Sequence, residues 1–280
     1  MNKLKTGLYI VSTPIGNLED ITLRAKKVLS LVDYIVCENP NHSLKLLNKL
    51  GIKKKLFALH DYNEKKLIKN IENYQKNSSI ALISDAGSPL ISDPGFNLLQ
   101  DYIKKNIFIT VVPGPSSVIA GFQLAGLAIH DFRFCGFVPK NKTSINLAVK
   151  EIDKFTSTSI HFISGNRLIL FIQSLIDNKI TRPIAVCKEI SKSNEKIFRG
   201  LAKDINNEIL KDEKNLKGEF VVIIEGSAKN NNREIDNKIE LQIKKLLKKF
   251  SLTEVVQIVH ILTNISKREI YNRALNLKND

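Results

Sequence analysis

Cysteine is scarce in this sequence: Cys37, Cys135 and Cys187 are the only three in 280 residues. They stand far apart with no Cys-x-x-Cys pair, so neither a disulfide framework nor a clustered zinc site is supported, and a reducing cytoplasm is the expected location. The five histidines, His42, His60, His130, His161 and His260, are dispersed and His-Glu-x-x-His is missing, so no metal is expected. Met1 to Thr6 carries lysines and runs straight into a strand-like segment without a signal-peptide apolar region. No uninterrupted apolar stretch of about 18 residues follows, so no membrane segment is expected. Gly-x-Gly-x-x-Gly after the opening strand and Gly-x-x-x-x-Gly-Lys-Ser/Thr are both missing, which removes the ordinary dinucleotide and P-loop readings. A Gly-x-Ser-x-Gly nucleophile is missing too, and no repeat marks a solenoid. Acid is short as well: 28 Asp and Glu face 43 Lys and Arg, a formal charge of +15. That balance favours an anionic partner such as RNA or a phosphorylated ligand.

What is present is alternation. Leu8 to Val11, Tyr34 to Cys37, Ile80 to Ile83 and Ile107 to Val112 are β-rich runs, each followed by helix-like sequence. This pattern predicts a mostly parallel sheet covered on both faces, with ligands gathering at the loops beyond the strands' carboxyl ends. Asp20 ahead of Ile21, Ala25, Val28, Leu29 and Val32 reads as the N-cap of a helix of about three turns. A second alternation, with strands at Phe132 to Val138, Ser159 to Ile163, Ile184 to Cys187 and Glu219 to Ile224, predicts a second α/β domain. The boundary falls between Gly126 and Asp131, where the helix from Ser117 to Ala125 meets a C-cap glycine. The expected domains are thus 1–128, 129–227 and 228–280. A polar run, Ser227 to Arg233, leads into the last, which continues as helices started by the capping boxes Ser251-x-x-Glu254 and Ser266-x-x-Glu269. Lys244, Lys245, Lys248, Lys249, Lys267, Arg268 and Arg273 make this tail basic, suited to phosphate contact or simply to a solvated helix face.

Three loops at strand exits carry the functional signal. In Ser12-Thr13-Pro14-Ile15-Gly16-Asn17, Pro14 and Gly16 permit a tight turn that exposes backbone amides. Ser84 to Gly95 packs two Asp/Gly/Pro units into twelve residues, with Asp85 placed to accept hydrogen bonds from an amine or a ribose and Gly87 and Pro89 shaping the turn. Asp93, before Pro94 and Gly95, reads as a helix N-cap. Pro113-Gly114-Pro115-Ser116-Ser117 leads into a helix whose free amides can bind the polar end of a ligand, or form a rigid capped turn.

In this order the loops resemble the ribosomal RNA small subunit methyltransferase I family of the tetrapyrrole methylase superfamily. Leu8 to Thr22 is similar to that family's opening block and Ser84 to Gly95 to its central block. Pro113 to Ser116, Gly136 to Lys140, Lys188 to Lys192, Phe198 to Gly200, Lys217 to Gly226 and Ser266 to Tyr271 correspond to later ones. The resemblance spans nearly the whole chain. It implies a two-domain tetrapyrrole methylase-like α/β fold with a small helical C-terminal tail, a cytoplasmic homodimer, and S-adenosylmethionine held between domains. The implied reaction is methyl transfer to the ribose 2′-hydroxyl of a decoding-centre cytidine in 16S rRNA, within the 30S subunit. Pro14, Asp85, Gly87, Pro89, Gly114, Ser116 and Ser164 are the cofactor-binding candidates. Lys188, Glu189 and Lys192 are the candidates for assisting removal of the hydroxyl proton, because they lie in a matching motif at a strand end.

The chain departs from the family at two motifs. Asn39-Pro40-Asn41 replaces Asp-Thr-Arg, and Ile163-Ser164-Gly165-Asn166-Arg167 replaces Glu-Ser-Pro-His-Arg. Both departures read first as tolerated drift in a lysine- and asparagine-rich sequence; a non-catalytic small-subunit assembly factor that retains RNA binding is the alternative, and a methylase of a small tetrapyrrole precursor is a third reading.

Overall fold

The computed structural model describes residues 4–60, 62–227, 237–263 and 265–279. The residues up to Gly226 gather into one compact unit and those from Ser227 into a second. The linker expected from Ser227 to Arg233 lies, after its first residue, outside the described residues.

Within the first unit, β1 (Gly7–Val11), β2 (Tyr34–Cys37), β3 (Lys55–Ala58), β4 (Ser79–Ile83) and β5 (Ile109–Val112) form an all-parallel sheet in the order β3-β2-β4-β1-β5. Between them run α1 (Leu23–Leu31), α2 (Pro40–Lys49), α3 (Glu64–Gln75) and α4 (Phe96–Lys104). The continuous apolar strands are explained by burial on two faces, because side chains alternate across the sheet. Tyr9, Val11, Ile35, Cys37 and Ala81 pack with Val28 and Leu29 of α1 and Leu47 of α2. Leu8, Ile10, Val36, Ile80 and Leu82 pack instead with Ile71 of α3 and Leu98 and Tyr102 of α4. The third strand, β3, has mixed burial and weak alternation, and the sequence reading passed over it.

The second sheet comprises β6 (Phe132–Phe137), β7 (Thr158–Ser164), β8 (Ile184–Lys188), β9 (Lys196–Gly200) and β10 (Glu219–Ile224), ordered β6-β7-β10-β8-β9. Only β6 and β7 pair in parallel; the other neighbours are antiparallel. Helices α6 (Lys142–Asp153), α7 (Gly165–Asp177) and α8 (Ala202–Ile209) cover one face. The opposite face is covered by α5 (Ser117–Ala125), whose Val118, Phe122 and Ala125 pack on Ile160, Ala185, Cys187, Val221 and Ile223. A Cβ at Gly121 would stand 2.9 Å from Val221 Cγ1, so glycine lets this helix lie close. The helix ends at Gly126 in the left-handed conformation, as its sequence predicts.

Two helix starts differ from expectation. Residues Leu18–Asp20 form a 3-10 turn and Thr22 caps α1, its hydroxyl accepting from the Ala25 N–H at 3.0 Å, so Asp20 is not the cap. Asp93 does not cap α4 either. That helix begins after Gly95, and the N–H of Leu98 is met by the buried carboxylate of Glu64 from α3 at 2.9 Å, with Asn97 Nδ2 donating to the same group at 2.8 Å. A carboxylate from another helix has taken the local cap's place.

In the second unit α9 (Asn237–Leu247), α10 (Leu252–Thr263) and α11 (Lys267–Asn279) enclose Ile243, Val255, Val259, Ile265, Ile270 and Ala274. The first capping box closes in both directions, Ser251 N–H donating to the Glu254 carboxylate at 2.9 Å and Glu254 N–H to Ser251 Oγ at 3.4 Å, while at the second, among the described residues, only the hydroxyl arm is made, Ser266 Oγ accepting from Glu269 N–H at 3.2 Å. Of the basic residues of the tail, Arg273 is paired with Glu240. No helix among the described residues is long and apolar enough to cross a membrane.

Candidate active site

The strand order places the exit of β1 between those of β4 and β5, so the three motif loops meet. Thr13 and Gly87 exchange two backbone hydrogen bonds, Thr13 N–H to Gly87 O at 2.8 Å and Gly87 N–H to Thr13 O at 3.1 Å. Gly87 adopts φ +80°, a conformation open to glycine at little cost. The buried Thr13 hydroxyl donates to Ser84 O at 3.3 Å. Ser12 Oγ lies 3.1 Å from Ser88 Oγ, and Ser88 Oγ donates to Pro115 O at 3.3 Å. At Gly114 a Cβ would come within 3.0 Å of Ser12 Cβ, which sets how near the first and third loops approach.

Beside this junction lies a pocket of about 610 Å³. Ile15, Asp20 and Thr22 line it from the first loop, and Gly114, Pro115, Ser116, Ile119, Ala120 and Gln123 from the third loop and α5. The β8–β9 connection supplies Ile190, Ser191 and Glu195. The hydroxyl of Ser116, the N-cap of α5, makes no capping hydrogen bond, so the first amides of that helix have no side-chain partner there. A second cavity, about 570 Å³, is lined by Gly16, Asn17, Leu18 and Ser191, Lys192 and Ser193.

The β8–β9 loop is fastened by side chains. Glu189 and Ser191 are held at φ +51° and +66°, positions that cost non-glycine residues energy and tend to occur at working sites. Ser191 Oγ bonds to the Asp20 carboxylate, and a Cβ on Gly16 would meet Lys192 Cγ at 2.5 Å and Ile190 O at 2.9 Å. Lys192 Nζ pairs with Glu189 at 3.0 Å and Glu219 at 2.9 Å. Burial alone would raise the Glu189 pKa, but the Glu219 N–H and the Lys192 ammonium outweigh it and hold it below the usual range. Burial works to lower the Lys192 pKa, and the two carboxylates more than offset it, so this ammonium is held protonated. Lys188, 7% exposed, donates to Lys214 O at 2.6 Å. The three catalytic candidates are thus neighbours at the end of β8, with their polar groups engaged by one another, by the Glu219 carboxylate and by backbone.

The cofactor candidates divide. Gly114 and Ser116 line the larger pocket. Pro14 and Gly87 belong to the loop junction behind it, Pro89 is buried, and Asp85 accepts the Asn39 N–H at 3.2 Å. Ser164 lies at the end of β7, its hydroxyl accepting from Arg167 Nε at 3.0 Å, and lines neither cavity. Sequence reasoning missed Asp20 as a wall residue, having read it as a cap, and missed Ile190, Ser191 and Glu195. The α5 wall was visible in outline, since Ile119 and Gln123 are one helical turn apart on a helix whose other face is core.

Asp93, released from capping, faces Glu38, Asp85 and Ser84. Burial, then the Glu38 and Asp85 charges, push its pKa up to about 7. Among the described residues no group of three or more His, Cys, Asp or Glu is arranged to hold a metal.

Both departed motifs keep structural roles. The Asn39 side chain caps α2, accepting from Asn41 N–H at 3.1 Å and His42 N–H at 3.3 Å, with Pro40 at the first helical position. Ile163 is 2% exposed in the core under α6 and α7, so an apolar residue is satisfied there. A Cβ on Gly165 would strike Leu216 O at 1.8 Å, so glycine is required for that approach. The Asn166 side chain lies outside the described residues.

Parallel strands with tied exit loops and a mixed second sheet define a class. The family model for Tetrapyrrole (Corrin/Porphyrin) Methylases matches residues 7–206, and solved methylases share the fold. Cobalt precorrin-4 methyltransferase superposes with TM-score 0.57 at 16% identity, covering 79% of this chain and 95% of that one. For diphthine synthase the TM-score is 0.60 at 14% identity, over 78% and 89%.

More narrowly, the chain belongs to the ribosomal RNA small subunit methyltransferase I family. The relative of that name from Rickettsia prowazekii is 39% identical over 277 residues, 96% of each chain. The one from Haemophilus influenzae is 36% identical over 280 residues, 98% of each.

Proposed function

We propose that this protein transfers a methyl group from S-adenosylmethionine to the 2′-hydroxyl of a decoding-centre cytidine in 16S rRNA. The observation that carries the reading is the convergence of the three family motif loops beside one pocket, in a chain that matches ribosomal RNA methyltransferases from end to end.

The pocket fits the cofactor chemically. Ile15, Ile119 and Ala120 offer apolar wall, Asp20 and Glu195 offer negative charge to a sulfonium or ammonium, and the start of α5 offers amides to a carboxylate. Gly114 and Ser116 would lie against the cofactor, with Pro14, Gly87 and Pro89 shaping the loops behind them and Asp85 and Ser164 at the margins. Bound S-adenosylmethionine supplies an already activated, electrophilic methyl group. The protein's part is then to align the hydroxyl oxygen with that methyl carbon and exclude water, and such positioning supplies roughly 7–11 kcal/mol in favourable cases. Lys192, held as a cation between Glu189 and Glu219, would act through charge and loop shape, with Lys188 bracing the strand end. The excess of 15 positive charges supplies sequence-independent attraction to RNA.

The reading extends to a cytoplasmic homodimer acting on the 30S subunit. Leu23 and Val111, apolar and more than half exposed, are side chains that a second copy would cover.

The test is methyl transfer from labelled S-adenosylmethionine to purified 30S subunits lacking the decoding-centre ribose modification, with cofactor binding measured by calorimetry and the product nucleotide mapped. Label on a cytidine ribose is expected. RNA binding without label would replace this reading with the assembly factor, and label on another atom or nucleotide would replace the substrate.

A further inference from the structure

The end of β6 presents an aromatic surface that the pocket does not use. Phe137 is 60% exposed, and its ring meets Phe162 of β7 edge-on, with centroids 5.4 Å apart and planes at 65°. Phe162 in turn stands edge-on to Phe134 at 5.0 Å. In a regular strand residues 134 and 137 would point to opposite faces. Here the register shifts between them, Phe134 opposite Ile160 and Phe137 opposite Phe162, so that both rings reach the same partner. Gly136 makes the shift with φ +69°. The backbone is thus bent at a point that leaves the Phe137 side chain largely exposed to solvent.

The surroundings indicate what covers it. A Cβ on Gly136 would lie 3.7 Å from Ser92 Oγ, so the platform abuts the loop after β4 that carries Asp85 and Asp93. Beyond Phe137 the chain is held by Arg167, which donates to Val138 O at 2.6 Å and to Ser164 Oγ at 3.0 Å. Lys140 and Lys142 follow, both exposed and neither in an ion pair among the described residues. Asn141 between them caps α6, its side chain accepting from Ser144 N–H at 2.8 Å, which fixes where the two lysines emerge. A flat aromatic face beside unpaired cations matches single-stranded RNA, whose bases stack on aromatic rings and whose phosphates seek lysine.

We infer that Phe137 is a stacking platform for an unpaired nucleobase of the RNA substrate, with Lys140 and Lys142 holding the adjoining phosphates. This rests on the reading of the protein as an rRNA methyltransferase and adds how that substrate is held.

The chain contains no tryptophan, so Phe137→Trp creates a single indole reporter. Its emission should be quenched saturably by a single-stranded decauridylate, less so as salt rises. Emission from the control Ile103→Trp, exposed on α4, should be unaffected. Phe137→Ala should weaken decauridylate binding by roughly fivefold or more, the scale of one lost stack, and Phe137→Tyr should restore it. On 30S subunits Phe137→Ala should raise KM while leaving cofactor affinity by calorimetry unchanged. An unquenched reporter, an unchanged affinity in the alanine variant, or a change in sedimentation that marks the face as a protein contact would each overturn the platform. Absence of methyl transfer by the wild-type protein would instead overturn the function, so the two failures are distinguishable.

Discussion

The walls of the pocket are held in two different ways. After β1, β4 and β5 the loops are tied mainly by backbone and short hydroxyls, as in the paired bonds of Thr13 with Gly87 and the chain from Ser12 through Ser88 to Pro115. Across from them the β8–β9 loop is fastened by side-chain charge, through Lys192 with Glu189 and Glu219 and through Ser191 with Asp20. Backbone ties are insensitive to salt and to most substitutions, whereas partly exposed ion pairs weaken with ionic strength. The first wall should therefore keep its shape as salt rises, and the second should loosen.

The largest effect is expected where the walls touch. Gly16→Val drives a side chain into Ile190 O and Lys192, 2.9 Å and 2.5 Å from the first added atom. Overpacking of this kind costs about 1–3 kcal/mol, and cofactor affinity by calorimetry should fall at least about tenfold as the walls part. Adding Lys192→Ala should recover part of that loss, since it removes the side-chain obstacle and leaves the backbone ones, Ile190 O and Ser191 C. A double variant no better than Gly16→Val would place the obstruction wholly on the backbone.

A middle-sized effect, dependent on pH, should separate Asp93 from the rest of its loop. Its folded pKa of about 7 lies above the unfolded value of 3.8, so the folded protein holds this proton more tightly. Its contribution is full below the unfolded value and is lost as pH rises through the folded one. Asp93→Asn should therefore match wild type in Tm near pH 4 and exceed it near pH 8 by roughly 2–4 °C for each kcal/mol relieved. Equal Tm values at both pH values would show that neither burial nor the Glu38 and Asp85 charges burden it.

Lys192→Ala alone should have the smallest effect on stability, about 1 kcal/mol or less because the pair is partly exposed, and the difference should shrink in 1 M salt. Salt-independent loss of stability by thermal denaturation would mean that its packing against Gly16, rather than its charge, holds the loop.

Much of the architecture was legible because local pattern and global fold agree. Leu8 to Val11 and Ile80 to Ile83 read as buried parallel strands since both sets of alternate side chains meet helices. Ser251 and Ser266 marked helix starts because each hydroxyl accepts the N–H of the glutamate three residues on, a contact made within one turn. Strands β3 and β9 escaped notice, being partly exposed segments whose strand character comes from their neighbours.

Asp93 and Asp20 show where such reading stops. Each sits where a cap belongs by sequence, yet Glu64 reaches Leu98 from α3 and Thr22 takes the start of α1, which leaves both aspartates to other work. Strand-helix alternation, the motif loops and the helical tail were determined by the sequence, through side-chain periodicity and backbone preference acting over a few residues. Which carboxylate caps which helix, that α5 lies on the second sheet, and that Ser191 closes on Asp20 were decided by the tertiary structure alone. Those contacts join residues as many as 171 positions apart, and no local preference encodes such a pairing.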